Sequence, residues 1–232
     1  MNYVFTPPAP VSVPVANSDQ HVAVRRVYCV GRNYAEHARE MGFDPDREPP
    51  FFFCKPTDAV VPVAEGEVYA FPYPPKTENL HYEAELVAVI GKGGADIPVA
   101  QALEHVWGYA VGLDMTRRDL QLEMRKMGRP WEVGKAFDHS APMGPVYPAA
   151  QVGHFTEGDI WLTVDGEERQ RSDINKLIWS VAEVVSYLSS LFRLEPGDLI
   201  LTGTPEGVGP VERGQQMRVG IKGLADLVVD VV

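Results

Sequence analysis

Two glutamates stand one residue apart in LHYEAELVAVIG (residues 80–91), just before an apolar run. In an extended chain alternate side chains share a face, so Glu83 and Glu85 point together while Tyr82, Ala84, Leu86, Ala88 and Ile90 point the other way. Downstream of Glu85 both faces turn apolar, which places the pair at the edge of a buried region, where like charges repel and lose hydration. There a positive partner is required; on a solvated surface strand the same spacing would need none. A third acid ends WGYAVGLD (residues 107–114), where Trp107, Tyr109, Val111 and Leu113 line one face and Gly108, Ala110, Gly112 and Asp114 the other. The small residues either leave room for an ion or ligand beside Asp114 or let another backbone pack close. Three carboxylates with no neighbouring cysteine or H-x-x-x-H pair form a hard oxygen set. That set suits Mg2+ or Mn2+, with Ca2+ compatible, and disfavours zinc even though His81 shares the face of Glu83.

Cationic and basic groups recur around these acids. A helix after Asp114 places Arg118 and Gln121 three residues apart on one face, either to orient an anionic substrate or as ordinary surface residues of an amphipathic helix. Lys135, in WEVGKAF, lies in an otherwise apolar run and must snorkel or pair with acid; the nearby carboxylates favour pairing. His37 and Glu40 share a helical face at a spacing of three, which suits a general-base dyad and equally an exposed pair. TGTPEGVGP carries a G-V-G after a strand, but its proline and the lack of a following helix contradict a dinucleotide loop.

Short strands are expected at 26–31, 51–55, 84–90, 106–114, 160–164 before an Asp165-Gly166 turn, 199–202 and in the terminal LADLVVDVV. YAEHAREMG reads as a helix ending on Gly42, followed by a loop, FDPDREPP. A second helix is expected from about Arg117 to Met127, with Thr116 and Asp119 spaced as a capping box and Gly128 at its end. A third starts near Asp173 and places Ile174, Leu177, Ile178, Val181, Val185, Leu188 and Phe192 on one stripe. Strands outnumber helices and do not alternate with them, which favours an α+β sheet roll over a doubly wound sheet.

The chain has 232 residues, 45% of them hydrophobic, enough for one sizeable core. Residues 1–22 read as an extended, proline-rich arm and 23–232 as one catalytic domain. A net charge of −11 and no basic stripe argue against a nucleic-acid partner. No signal-like N-terminus and no apolar run of about 20 residues implies no membrane partner and a cytoplasmic location. Cys29 and Cys54 form no metal pair or disulfide framework and read as buried thiols.

Six ordered blocks, VYCVGRNYAEHAREMG, FFFCKP, LHYEAEL, GYAVGLDMTRRDLQ, GRPWEVGKAFD and LILTGTPEGVGPV, resemble the fumarylacetoacetate hydrolase family in its short acylpyruvate hydrolase form. The resemblance extends over about residues 26–230, and its details are most similar to bacterial fumarylpyruvate hydrolases. It implies a mixed β-sheet roll, usually homodimeric, in which Glu83, Glu85 and Asp114 bind the metal. It further implies that His37 with Glu40 activates water under a lid formed by their helix, that Lys135 assists at the reacting centre, and that Arg118, Gln121 and Thr204 contact substrate. Longer relatives place a further acidic ligand where this chain has Val30, so a ligand set of three acids is implied. The implied reaction is hydrolysis of a carbon–carbon bond in a small anionic 2,4-dioxo acid, fumarylpyruvate giving fumarate and pyruvate. The chain's negative charge repels such a dianion at long range, so capture must depend on local cations, with Arg32 and Lys55 as further candidates. The alternatives are an oxaloacetate decarboxylase or a dioxo-acid isomerase of the same family, and a non-enzymatic module that uses the carboxylates only for folding.

Overall fold

The computed structural model describes residues 2–41 and 48–232. In chain order it contains β1 (Ser12–Pro14), β2 (His21–Ala23), β3 (Arg26–Gly31), α1 (Ala35–Glu40), β4 (Phe51–Lys55), β5 (Val60–Pro62), β6 (Val68–Phe71), β7 (Leu80–Tyr82) and β8 (Ala84–Ile90). The middle of the chain supplies α2 (Val99–Ala102), β9 (Val106–Leu113), β10 (Thr116–Arg117), α3 (Arg118–Lys126), α4 (Glu132–Lys135), β11 (Ala141–Met143), β12 (Tyr147–Pro148) and α5 (Ala149–Val152). The last third supplies β13 (Asp159–Val164), β14 (Glu167–Asp173), α6 (Val181–Leu191), β15 (Asp198–Leu201), β16 (Gly209–Pro210), β17 (Gln216–Ile221) and β18 (Leu227–Val231).

The largest sheet runs β4-β3-β15-β8-β9-β11-β5, with β12 beside β9. It is mixed: β3 with β15 and β5 with β11 are parallel, whereas β8 is antiparallel to both neighbours. A second sheet, β14-β13-β17-β18-β6, packs against it through β13 on β8 and β17 on β9, and a short third sheet runs β10-β7-β16. The expected α+β roll is therefore present.

Strand alternation divides the apolar side chains between two cores. From β8, Ala84, Leu86, Ala88 and Ile90 enter the larger core with Ile160, Leu162, Val219 and the buried stripe Val181, Val184, Val185 and Leu188 of α6. Val87 and Val89, on the other face, join Val27, Cys29, Ala110, Leu199 and Leu201 in a second core. The β1–β2 hairpin covers that second core with Val13, which is fully buried. Glu83 and Glu85 belong to the face of Val87 and Val89, so the acids stand at one end of the second core.

Several local expectations are corrected. The stripe from Asp173 to Phe192 is not one helix. Asp173 caps a single 3-10 turn, Ile174–Lys176, and α6 starts afresh with a capping box made by Ser180 and Glu183. The break arises because Asn33 takes the intervening backbone donors: Ile178 N–H bonds to its carbonyl at 2.8 Å and Trp179 N–H to its Oδ1 at 2.7 Å. The capping box expected at Thr116 and Asp119 does not form. Thr116 Oγ1 donates instead to the Asp114 carbonyl, and Asp119 accepts from Thr77 Oγ1 and Glu78 N–H. Cys54 is exposed rather than buried; Cys29 is buried, and both are free thiols. Gly42 and residues 43–47 of the expected loop lie outside the described residues. Among the described residues no helix is long and apolar enough to cross a membrane.

Candidate active site

The antiparallel register of β8 and β9 creates the acid cluster. Glu85 lies opposite Gly112 and Ala84 opposite Leu113, and the ladder continues as Asp114 N–H donates to the Glu83 carbonyl at 2.9 Å. The three carboxylates each offer an oxygen within 4.8 Å of the others, and the residues are only 5%, 2% and 1% exposed. The glycine face of β9 serves close packing rather than ligand space. A Cβ at Gly112 would come within 2.6 Å of Val87 Cγ2, and one at Gly108 equally close to the Tyr147 carbonyl oxygen.

Three buried cations surround the acids. Lys135, delivered by α4, donates to Glu83 Oε2 at 2.8 Å, Asp114 Oδ2 at 2.7 Å and Thr116 Oγ1 at 2.7 Å. Arg118, the first residue of α3, donates to Glu83 Oε1 at 2.5 Å and to Gln121 Oε1 at 2.6 Å. Lys55, the last residue of β4, brings Nζ to 2.8 Å from Asp114 Oδ1 and donates to the carbonyls of Met115 and Lys135. Lys55 and Asp114 thus form a buried ion pair, with side chains 0% and 1% exposed.

These partners divide the acids electrostatically. Burial opposes ionisation of Glu83, but Lys135 and Arg118 outweigh it and hold the carboxyl well below its ordinary range. Glu85 is pushed the other way, first by burial and then by the charges of Asp114 and Glu83. Among the described residues no cation pairs with it; its Oε2 accepts the Gly203 N–H at 2.7 Å. Lys135 is held above its ordinary value because Asp114 and Glu83 overcome the cost of its burial. A buried glutamate without a counter-charge, with oxygens of Glu83 and Asp114 within 4.8 Å, fits a divalent cation bound by oxygen ligands. His81 does not join the set: its Nε2 meets Asn79 Oδ1 at 2.9 Å, Nδ1 accepts from Arg118, and burial lowers its pKa to about 4.

Facing the acids, α1 presents His37, 6% exposed, with Nδ1 3.1 Å from Glu40 Oε2. This contact favours the proton on Nδ1 and leaves Nε2 as the basic nitrogen. Burial raises the Glu40 carboxyl, yet the hydrogen bond and charge of His37 and the Gly207 N–H bring it below its ordinary value. A cleft of about 470 Å³, partly open to solvent, is lined by Arg32, His37, Glu83, Glu85, Asp114, Arg118, Gln121, Lys135 and Thr204. Of the catalytic, metal-binding and substrate-binding candidates, Glu40 and Lys55 do not line it: Glu40 stands behind His37 and Lys55 beneath Asp114.

A family model, fumarylacetoacetate (FAA) hydrolase C-terminal, matches residues 26–232. The chain belongs to the fumarylacetoacetate hydrolase family. Its structure is similar to that of fumarylpyruvate hydrolase from Pseudomonas aeruginosa in complex with Mn2+ and pyruvate. The two are 70% identical, with a TM-score of 0.98 over 100% of this chain and 99% of that one. By sequence the chain is 44% identical over 206 residues to the mitochondrial oxaloacetate tautomerase of Arabidopsis thaliana, covering 89% of this chain and 90% of the relative. It is 41% identical over 209 residues to the mitochondrial oxaloacetate decarboxylase of Dictyostelium discoideum, covering 90% and 94%.

Other parts of the site in this fumarylacetoacetate hydrolase family member escaped the sequence reading. Asn33 ties the start of α1 to the sheet by donating to the carbonyls of Trp179 and Thr202 at 2.9 and 2.8 Å. Gln170, fully buried within the charged strand EERQRSD, accepts from Ala84 N–H at 3.0 Å and donates to Thr204 Oγ1 at 2.9 Å. Neither has a periodic signal: Gln170 is inward-facing among charged neighbours, and Asn33 lies between β3 and α1, where no regular period operates. Arg125 and Trp131 also line the cleft; Arg125 was detectable, standing seven residues after Arg118 on the same helical face. Val30 forms an apolar wall, so Glu83, Glu85 and Asp114 are the acids that line the cleft among the described residues.

Proposed function

We propose that this protein hydrolyses the C3–C4 bond of an acylpyruvate, with fumarylpyruvate as substrate and fumarate and pyruvate as products. The observation that carries this reading is the placement of a buried acid cluster and of His37, backed by Glu40, on one cleft. The 70% identity to a fumarylpyruvate hydrolase, solved with Mn2+ and pyruvate, supports the choice of acyl group and ion. Glu83, Glu85 and Asp114 would hold Mn2+ or Mg2+. When bound, the ion supplies Lewis acidity toward the 1-carboxylate and 2-oxo group of the substrate and offsets the charge of the departing enolate.

His37 takes a proton from water through Nε2, and the hydroxide adds to the C4 carbonyl. Glu40 keeps the ring oriented and stabilises the imidazolium. The tetrahedral oxyanion re-forms its carbonyl as the C3–C4 bond breaks, its electron pair passing to pyruvate enolate; the proton on His37 returns to C3. Lys135, held charged by Glu83 and Asp114, adds positive potential where negative charge develops. Arg118 and Gln121 orient the substrate's anionic end, Thr204 borders it, and Arg32 contributes to its capture; Lys55, buried beneath Asp114 and outside the cleft lining, holds that carboxylate instead of the substrate.

The second reading, oxaloacetate decarboxylation or tautomerisation, is favoured by the Dictyostelium and Arabidopsis relatives and requires no attack by water. An ultraviolet assay with Mn2+ on fumarylpyruvate, acetylpyruvate and oxaloacetate separates the two. Fumarylpyruvate should show the highest kcat/KM; a decisive preference for oxaloacetate replaces the hydrolase reading with the second.

A further inference from the structure

Arg118, Gln121 and Arg125 follow one another at i, i+3 and i+7 along α3, and all three line the cleft. At 3.6 residues per turn they fall within about 60° of one another around the helix axis. Arg118 is bound to Glu83 at the acid end of the cleft, whereas Arg125 lies about 10 Å further along the axis. Arg32 also lines this cleft. It directly follows β3 with φ of 56°, and its guanidinium is 4.8 Å from the centroid of the Phe51 ring. Arg32 and Arg125 are close enough to oppose one another: burial first, and then the charge of Arg125, lower the Arg32 pKa, with Glu48 offsetting part of this. The acids gather where Arg118 meets Glu83, and the guanidinium groups of Arg32 and Arg125 line the same cleft near one another.

We propose that Arg125 and Arg32 bind a second carboxylate, at the end of the acyl chain remote from the 2-oxo acid, and so select acylpyruvates whose acyl group is itself an acid. This rests on the acylpyruvate-hydrolase reading and adds a basis for its specificity. The terminal carboxyl carbons of a seven-carbon dioxo diacid lie about 7–8 Å apart when extended, of the same order as the axial distance of about 10 Å between Arg118 and Arg125. Guanidinium groups suit the task because their forked donors match both oxygens of a carboxylate.

The test compares kcat/KM for fumarylpyruvate and acetylpyruvate, which lacks the second carboxylate, in Mn2+-loaded wild type, Arg125→Met, Arg32→Met and Arg125→Lys. The wild-type preference for fumarylpyruvate should fall by about 10- to 100-fold in each methionine variant, mainly through KM, and recover in part in Arg125→Lys. Because a ratio of substrates is read on one preparation, loss of folded protein does not imitate the effect. A ratio within twofold of wild type in both methionine variants overturns the assignment while leaving the hydrolase reading intact. A wild-type protein inert on both acylpyruvates overturns the two together.

Discussion

Glu83 and Glu85, alternate residues on one strand edge, are driven in opposite directions by what surrounds them. Glu83 is gripped by Lys135 at 2.8 Å and Arg118 at 2.5 Å, whereas Glu85 receives one backbone N–H from Gly203. The local cations are committed to Glu83 and Asp114, which leaves Glu85 without the counter-charge that, on the proposed function, a divalent ion would bring.

This asymmetry couples ion uptake to pH. Because the folded chain holds the Glu85 proton more tightly than the unfolded chain, the group's stabilising contribution is complete below the ordinary glutamate range, about pH 4.3. That contribution is lost as pH rises through the raised folded value. Ion binding requires the carboxylate, so Mn2+ should expel a proton and bind more tightly as pH rises through the same window. Calorimetric titration at pH 6 in two buffers of different ionisation enthalpy should register this release; identical heats in both would deny it.

Replacement of His37 by alanine should leave Mn2+ affinity near wild type and lower fumarylpyruvate turnover by about 10²- to 10⁴-fold. Glu40→Gln should lose at least about tenfold, since the amide cannot stabilise an imidazolium. Near-normal turnover of His37→Ala would remove the base from the mechanism.

Lys135→Met removes the ammonium shared by Glu83 and Asp114 and leaves buried acids facing one another. Metal-free protein should lose about 3–5 kcal/mol of stability, part of which Mn2+ restores. Urea unfolding with and without Mn2+ measures both effects, and an unchanged metal-free midpoint would contradict the geometry.

Gly203 combines φ of 102° with an approach that would put a Cβ 2.7 Å from that of Asn33, itself fixed by hydrogen bonds to Thr202 and Trp179. Gly203→Ala should therefore cost about 1–3 kcal/mol and, by shifting the N–H that holds Glu85, weaken Mn2+ binding. Thermal unfolding and Mn2+ titration of this variant should move together; wild-type values for both would show the loop to be less constrained than its contacts indicate.

Much of this arrangement was legible in the sequence where a regular period operates. Alternation along β8 assigned Tyr82, Ala84, Leu86, Ala88 and Ile90 to one core and the glutamates to the opposite face. Helical spacing likewise paired Arg118 with Gln121 and His37 with Glu40. The failures occur where a distant residue overrides a local pattern. Asn33 interrupts the helix expected from Asp173 by taking backbone donors that only the tertiary fold brings to it. Thr116 forgoes helix capping because the Asp114 carbonyl and Lys135 Nζ are closer claims on its hydroxyl. Gln170 serves the site from a strand whose other side chains are largely charged and solvated, and nothing in its own neighbourhood distinguishes it.

The most direct test is Mn2+ titration of chelator-stripped protein, followed by the paramagnetic resonance of the free ion. Wild type should bind one ion per chain, and Glu85→Gln, which preserves shape and removes the charge, should bind it at least about 100-fold more weakly. Equal affinity in the two proteins would show that the ion is held elsewhere and that Glu83, Glu85 and Asp114 are not its ligands.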